Sequence, residues 1–447
     1  MTGHLQIELG VLLLPYMESS NIPASQAPTF NGLGIAPGIL EVLALRGLVS
    51  PTPIQNKAIP MGIAGQDVIG VAQTGTGKTL AFGIPLIQRL AVSKGRALIL
   101  LPTRELALQV DESLGQFGAR FGLRGVVLIG GASMGKQVMD MRRDPNVLIA
   151  TPGRLLDHMQ GGTVSLHDIS ILVLDEADRM LDMGFWPQIR EIMSAVPKDR
   201  QTMLFSATLS REITDLATKH MKTPTSIEVA PPGTTADKIS QEFYIVRKDQ
   251  KLQLLETVLS KYNGSTIVFS RTKHGAKRIA RAVRDMGHTS AEIHANRSLA
   301  QRREALEGFK RGKYRVLVAT DIAARGIDVQ DVELVVNYDV PSKTEDYVHR
   351  IGRTARAGKN GHAISFAMPD EKRTIRDIER LIRKPLAISM TPTLPPARVM
   401  PYIEDDEPRG FGNRSGGGRP RSSSRPSFGG ARPSSSGRPF RPHFSRR

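Results

Sequence analysis

The side chains that could do chemistry gather in two short stretches. One is Ala72-Gln73-Thr74-Gly75-Thr76-Gly77-Lys78-Thr79, in which glycines space hydroxyls ahead of a lysine. Glycine-rich backbone turns its N–H groups inward on phosphates, and a following helix adds the positive end of its dipole. A lysine at this spacing reaches the β- and γ-phosphates of a nucleotide, and the Thr79 hydroxyl suits Mg²⁺. The other stretch is Asp175-Glu176-Ala177-Asp178. Two adjacent carboxylates suit a Mg²⁺ on phosphates plus a base for water. Magnesium keeps several waters, so one carboxylate is enough to hold it. The two stretches together form the signature of nucleotide hydrolysis.

Such groups need strand ends to hold them. Apolar residues 68–71 precede the first stretch and a helical pattern over 80–90 follows it. Residues 171–174 read as a buried parallel strand delivering its carboxylates at the C-terminal end, where open α/β sheets bind ligands. Further strands are expected over 97–101, 126–129, 147–150 and 202–205. Three of them end in loops with a common character: Pro102-Thr103-Arg104-Glu105, Gly130-Gly131 and Thr151-Pro152-Gly153-Arg154. A cap, a turn and a helix start explain each alone. On one sheet edge they make a groove for the phosphates of a nucleic acid. Ser206 and Thr208, after the strand over 202–205, either cap it or hydrogen-bond Asp178. Upstream, two prolines pin a turn before Gln55, whose amide can both donate to and accept from an adenine edge, and Phe30 could stack on that base; on the residues alone, a buried Gln and a core Phe are the simpler readings.

Pro231-Pro232-Gly233-Thr234-Thr235 marks a linker over 231–240. The α/β alternation then restarts, with strands expected over 242–246, 266–269, 315–318, 333–336 and 363–366 and no second phosphate loop. Its strand ends carry Ser270-Arg271-Thr272-Lys273 and Thr320-Asp321 through Arg325, Gly326 and Asp328. His349, Arg350 and Arg353 are expected on one helical face that Arg356 extends. A guanidinium delivered from there to a γ-phosphate would stabilise charge in the transition state. Ile375, Ile378, Leu381 and Ile382 form a core-facing stripe.

Composition bounds the partners. The 447 residues carry a net charge of +18, with ten arginines against four acids in residues 401–447 alone. A basic body with a basic tail points to a polyanion, nucleic acid before membrane. There is no cysteine, which excludes disulfides and Cys-ligated zinc. No run of about 18 apolar residues exists, so no transmembrane helix is expected. The tail of Arg, Gly, Ser and Pro, with Phe411, Phe428, Phe440 and Phe444 interspersed, cannot bury a core and is expected to be disordered. Residues 1–28 read as a loosely attached extension, with Met17 a second candidate start.

In their order along residues 30–385, these motifs resemble those of the DEAD-box ATP-dependent RNA helicases. His294-Ala-Asn-Arg-Ser and the tail resemble the bacterial RhlE-type subgroup. Leu299 departs from the family, which often has Gln there, while Arg302 is retained. The resemblance implies an α/β fold of two tandem RecA-like domains with parallel sheets, at 29–230 and 241–390, plus the disordered basic tail from 391. It implies ATP as substrate and Glu176 as the group that deprotonates water. Mg²⁺ would sit on Thr79 and, through water, Asp175, while Lys78 neutralises the phosphates. Arg353 and Arg356 would face the γ-phosphate, Gly326 and Asp328 the ribose. Asp178, Ser206, Thr208, His349 and Arg350 would couple the halves. RNA would be gripped by Pro102, Thr103, Arg104, Gly130, Gly131, Thr151, Pro152, Gly153, Arg154, Arg271 and Thr320, with weak sequence preference. A cytoplasmic protein acting on ribosomal precursors or in RNA decay fits the subgroup. An ATP-gated clamp or annealing protein, and a DNA helicase, are the rival readings; the adenine element and the acidic motif favour RNA.

Overall fold

The computed structural model describes residues 28–73, 75–229, 239–324, 329, 332–355 and 361–396. Short apolar runs punctuated by helices form two parallel sheets of seven strands each. The first contains β1 (Val68–Val71), β2 (Arg96–Leu100), β3 (Gly125–Leu128), β4 (Val147–Ala150), β5 (Ile169–Leu174), β6 (Gln201–Ser206) and β7 (Thr225–Glu228), in the order β3-β4-β2-β5-β6-β1-β7. The second contains β8 (Ile239–Ile245), β9 (Thr266–Phe269), β10 (Ser290–Ile293), β11 (Val316–Ala319), β12 (Leu334–Asn337), β13 (Gly361–Ala367) and β14 (Ala387–Ser389), in the order β10-β11-β9-β12-β13-β8-β14. Counted from its own first strand, each sheet reads 3-4-2-5-6-1-7. The α/β class and the parallel sheets expected from the sequence are what the structure shows.

Both faces of each sheet are covered, which is why the central strands are apolar throughout. Along β2, Ala97 and Ile99 enter one buried cluster while Leu98 and Leu100 enter the other. The second sheet repeats this, with Ile267 and Phe269 on one side of β9 and Val268 on the other. Of the expected stripe on helix Lys372–Ile382, Ile375, Ile378 and Ile382 pack into the core, while Leu381 is only half-buried.

Three strands escaped the sequence reading: β7, β10 and β14. All are sheet edges. An edge strand needs no long apolar run, and Ser290-Ala-Glu-Ile and Thr225-Ser-Ile-Glu have none. The strand expected over 242–246 begins earlier, at Ile239, inside the segment read as linker.

Since all strands of the first sheet are parallel, their C-terminal ends share one edge. The order divides that edge in two. The loops after β3, β4 and β2 are neighbours and carry the groove residues. The ends of β5, β6 and β1 are neighbours and carry the acids, the Ser206–Thr208 hydroxyls and the phosphate loop.

Candidate active site and nucleic-acid interface

The phosphate loop leaves β1 and enters helix Lys78–Leu90 through two left-handed glycines, Gly75 (φ 86°) and Gly77 (φ 89°). The Thr76 hydroxyl donates to the Gln73 carbonyl at 2.7 Å. Gln55 fixes the loop from outside. Its Oε1 accepts from the Thr52 N–H at 2.9 Å where helix Pro53–Ile63 starts, and its Nε2 donates to the Gly77 carbonyl at 3.0 Å. A Cβ at Gly77 would run into that amide. Gln55, itself buried, thus ties one N–H and one lone pair of its amide to backbone. Phe30 takes the simpler of its two readings here: it is 4% exposed, in the core cluster with Ile35, Ile39 and Ile54.

Lys78 is buried, with Nζ 3.6 Å from Asp175 Oδ1. That oxygen also accepts the Glu176 N–H at 2.9 Å. Burial pushes the Asp175 carboxyl up to about 6, against the pull of Lys78. A carboxylate this deep, facing one ammonium beyond hydrogen-bond distance, is short of positive charge. With the half-buried Thr79 beside Lys78 in the first helical turn, the donor set fits a small hard cation.

Glu176 is a non-glycine residue held at φ 54°, ψ 49°, the left-handed region, as the chain turns from β5 into helix Ala177–Asp182. Such strain costs about 1–3 kcal/mol and persists only where the surroundings impose it. The Glu176 side chain is held by Arg179, whose Nη1 donates to Glu176 Oε2 at 2.9 Å, both side chains 3% exposed. Sequence reasoning missed Arg179. The available signal was a cation one turn after a carboxylate.

Asp178 is hydrogen-bonded to the segment after β6. Its Oδ2 accepts from the Ala207 N–H (3.0 Å), the Thr208 N–H (3.1 Å) and the Thr208 hydroxyl (3.4 Å). The Asp178 N–H donates to Ser206 Oγ at 3.3 Å, and that hydroxyl donates to the Thr208 carbonyl at 2.7 Å. The ends of β5 and β6 are thus one hydrogen-bonded unit.

From the second sheet, His349 approaches this unit: Arg179 Nη2 lies 3.0 Å from His349 Nδ1. A guanidinium has only donors, so Nδ1 accepts and the ring proton sits on Nε2. The shared helical face expected for His349, Arg350 and Arg353 does not form, because helix Thr344–Ile351 stops before Arg353. Arg350 is 2% exposed and turned to its own sheet, bidentate to Asp321 (2.5 and 2.7 Å) and donating to the Asp339 carbonyl at 2.6 Å. Arg353, in the turn after the helix and 3% exposed, lines a small cavity with Arg179 and His349. Thr74, Gly326, Asp328 and Arg356 lie outside the described residues.

On the groove side, the Arg104 guanidinium lies against Gly130 and Gly131, at a distance a Cβ on Gly131 would not allow. Thr103 Oγ1 accepts the Leu106 N–H at 3.3 Å and caps helix Arg104–Gly118, so the simpler reading of that hydroxyl holds. Thr151 starts helix Pro152–Gln160, with Pro152 and Gly153 in its first turn, without spending its hydroxyl on a cap. Arg154 Nη1 donates to the Ala132 carbonyl at 3.1 Å. Pro102 is buried beside this group. Thr320 ends β11, with its N–H on the Ile293 carbonyl at 3.2 Å. Arg271 already has internal partners, Glu371 at 2.8 Å and the Val340 carbonyl at 3.1 Å, which the sequence did not reveal.

The sheets meet on this side too. Glu105 Oε2 accepts from Arg302 Nη2 at 2.9 Å, with both residues buried. Leu299, where the resemblance suggests a Gln, packs against the apolar cluster of the first sheet. Lys343 reaches Asp182 at 2.5 Å.

Comparison with known proteins agrees with this geometry. Residues 52–216 match the family model described as DEAD/DEAH box helicase, and residues 250–358 match the helicase conserved C-terminal domain. The chain is 41% identical over 369 residues to the DEAD-box ATP-dependent RNA helicase CshA of Geobacillus kaustophilus, covering 82% of this chain and 79% of that one. It is 42% identical over 356 residues to the ATP-dependent RNA helicase DbpA of Bacillus subtilis, covering 79% and 74%. Among solved structures, S. cerevisiae Dbp5 bound to RNA and ADP BeF3 superposes with a TM-score of 0.74 at 30% identity, over 82% of this chain and 96% of that one. Mss116p bound to ssRNA and AMP-PNP gives 0.75 at 28%, over 82% and 80%.

Proposed function

Because the chain belongs to the DEAD-box family of ATP-dependent RNA helicases, we propose that it hydrolyses ATP in an RNA-dependent way to separate short duplexes or remodel RNA–protein complexes. The observation that carries this reading is the contact chain Glu176–Arg179–His349. It joins the carboxylate best placed to take a proton from water to a side chain of the other sheet. Hydrolysis then depends on how the two sheets are docked, and RNA lying across both sets that docking.

In this reading Lys78 leaves Asp175 for the β- and γ-phosphates, and the Gln55 amide meets the adenine edge. Glu176 takes the proton of the attacking water while Arg179 holds its other oxygen. Arg353 and Arg356 bring positive charge to the γ-phosphate, and Gly326 and Asp328 meet the ribose. Asp178, through Ser206 and Thr208, passes the state of this edge to β6. Thr79 and, through water, Asp175 would hold Mg²⁺, which when bound neutralises charge on the phosphates. RNA sugars and phosphates lie along Arg104, Gly130, Gly131, Thr151 and Arg154 of the first sheet and Thr320 of the second. Contacts of this kind leave base edges unread, so sequence preference is weak, and the 2′-hydroxyl separates RNA from DNA.

The same proposal sets domain limits at 29–230 and 241–390, with the second moved back to Ile239, where β8 begins; the two family matches fall inside them. It places the chain in the RhlE-type subgroup on His294-Ala-Asn-Arg-Ser and the arginine-rich tail, and in the cytoplasm, acting on ribosomal precursors or in RNA decay.

The test is steady-state ATPase activity of the full chain alone, with RNA and with DNA. Stimulation by RNA only is expected. Equal rates in all three would overturn RNA-dependent closure and favour a clamp in which ATP sets residence time alone. Deleting residues 401–447 removes ten arginines. It is expected to leave ATPase turnover intact and flatten the salt dependence of RNA binding.

A further inference from the structure

The first sheet has a second polar edge. Where β1, β5, β6 and β7 begin, opposite the phosphate loop, lies a cleft of about 460 Å³. That volume suits a small molecule. None of its residues takes part in the reading of ATP hydrolysis given above.

Its walls hold two guanidiniums with no carboxylate in contact among the described residues. Arg200 is 8% exposed; its Nη1 donates to the Pro197 carbonyl at 2.6 Å and its Nη2 to the His220 carbonyl at 3.3 Å. Its buried Nε has no partner, and no carboxylate forms an ion pair with it among the described residues. Arg89, in the last turn of helix Lys78–Leu90, lies over Gly65. Its Nε is also buried without a partner, and its side chain makes no hydrogen bond or ion pair among the described residues.

The acids nearby are already spent. Asp67 accepts the backbone N–H of Thr202 at 2.7 Å and of Lys222 at 2.6 Å. Asp199 pairs with the exposed Lys222 ammonium at 2.6 Å. Asp67 acts on Arg200 only through space, without an ion-pair contact, and a desolvated guanidinium with no carboxylate against it is costly. With Arg89, Arg200 and Lys222 against Asp67 and Asp199, the cleft carries one positive charge in excess. Arginine's fork of donors matches phosphate oxygens, and the buried Gln201 Oε1, also unpartnered, offers an acceptor to a ligand hydroxyl or amine.

We propose that this cleft is a second ligand site of the chain, separate from the phosphate loop, and that it takes a small phosphate-bearing molecule of up to nucleotide size between Arg89 and Arg200. Its position gives the site a route to the chemistry. Helix Lys78–Leu90, about 20 Å long, ends at Arg89 and begins at Lys78. Strands β1, β5 and β6 likewise begin at the cleft and end at the phosphate loop, the acids and Ser206.

The test uses the full chain with Lys78→Ala, which removes phosphate binding at the loop. Inorganic pyrophosphate and AMP are titrated in separate calorimetric experiments at fixed ionic strength. One-to-one binding is expected. In the same background Arg89→Glu is expected to weaken it about tenfold or more. Lys222→Glu, on an exposed side chain, is expected to weaken it less, with thermal unfolding unchanged. Tighter binding of AMP than of pyrophosphate assigns the site to a nucleotide, and the reverse to an inorganic phosphate. No heat with either probe at millimolar concentration overturns the proposal. So does binding that both variants leave unchanged, since the probe would then sit elsewhere.

Discussion

The two sheets repeat more than their strand order. In each, a lysine opens the helix that follows the first strand, and in each it faces the aspartate that follows the fifth. Lys78 and Asp175 are the pair in the first sheet, Lys251 and Asp339 in the second. The pairs differ in how completely they are satisfied. Lys251 Nζ donates to the Tyr338 carbonyl at 2.8 Å and to Asp339 Oδ1 at 3.1 Å, and lies 5.5 Å from the Tyr338 ring centre. Asp339 also accepts the Arg271 N–H at 3.0 Å. Lys78 stands 3.6 Å from its aspartate, beyond hydrogen-bond reach. The consequences for the acids are opposite. Asp175 is pushed up to about 6 by burial. Burial would also raise Asp339, but the Arg271 N–H and the Lys251 ammonium outweigh it and hold that carboxyl below the usual range. One scaffold thus carries a closed pair and an open one, and the open one lies beside the phosphate loop. An unsatisfied buried pair is a place for a ligand; a satisfied one is a strut.

The comparison breaks if the two lysines are interchangeable. Lys78→Met is expected to cut RNA-stimulated ATPase turnover by about 100-fold or more, since one aimed cation at the reacting phosphates is worth that much. It should leave the melting temperature within a few degrees. Lys251→Met is expected to do the reverse. Removing one partner of a buried pair costs about 3 kcal/mol, at the low end because Asp339 is a quarter exposed. Turnover of the folded fraction should hold. Glu176→Gln belongs with Lys78→Met: turnover should fall by about 10²–10⁴ while ATP and RNA still bind. Comparable ATPase losses for both lysines would mean that the second sheet's pair also serves the chemistry.

The open site was readable in advance because it uses local sequence. Glycines, a lysine and a threonine on consecutive positions, or an apolar run ending in acids, are visible without knowing what lies opposite. The sheet core was readable for the same reason. What escaped were pairings between distant positions: Lys251 with Asp339, Glu105 with Arg302, and Arg179 with His349. No spacing rule connects residues 170 apart. Arg350 and Arg353 show the limit from the other side. Helical spacing suggested one face, but the helix ends at Ile351, so Arg350 supports its own sheet while Arg353 falls in the turn. Phe30 lay open between stacking and core, because an isolated aromatic gives little sign of its burial.

If the sheets communicate through these pairings, breaking them should cost less than the chemistry mutations and should appear only with RNA. His349→Ala removes the acceptor of Arg179. A hydrogen bond to a charged group contributes about 1.5–3 kcal/mol, so RNA-stimulated turnover is expected to fall roughly tenfold or more. The rate without RNA should barely move. Arg302→Leu leaves Glu105 buried and unpaired, and is expected to raise the RNA concentration needed for half-stimulation. Adding Glu105→Leu should recover part of that loss, because two apolar side chains next to Leu299 can pack where one stranded carboxylate cannot. Equal losses in the single and double variants would show that the pair does not couple the sheets.

The smallest expected effect tests the closed pair through acid. Asp339 has a folded value below its unfolded one. Such a carboxyl adds stability that is fully present above the unfolded value of about 3.9 and is lost as pH falls through the folded value. Amide exchange of β9 and β12, the strands that flank the pair, should therefore accelerate as pH falls below about 4, after correction for intrinsic exchange. Lys251→Met removes one of the two groups that depress Asp339, so this acid-dependent step should shrink or move to higher pH. Asp339→Asn should abolish it. If the step survives in Asp339→Asn, the acid sensitivity of the second sheet comes from other carboxylates and the strut reading of this pair fails. Lys78→Met, by contrast, should leave the exchange of these strands unchanged, because the two pairs share a geometry and no contact.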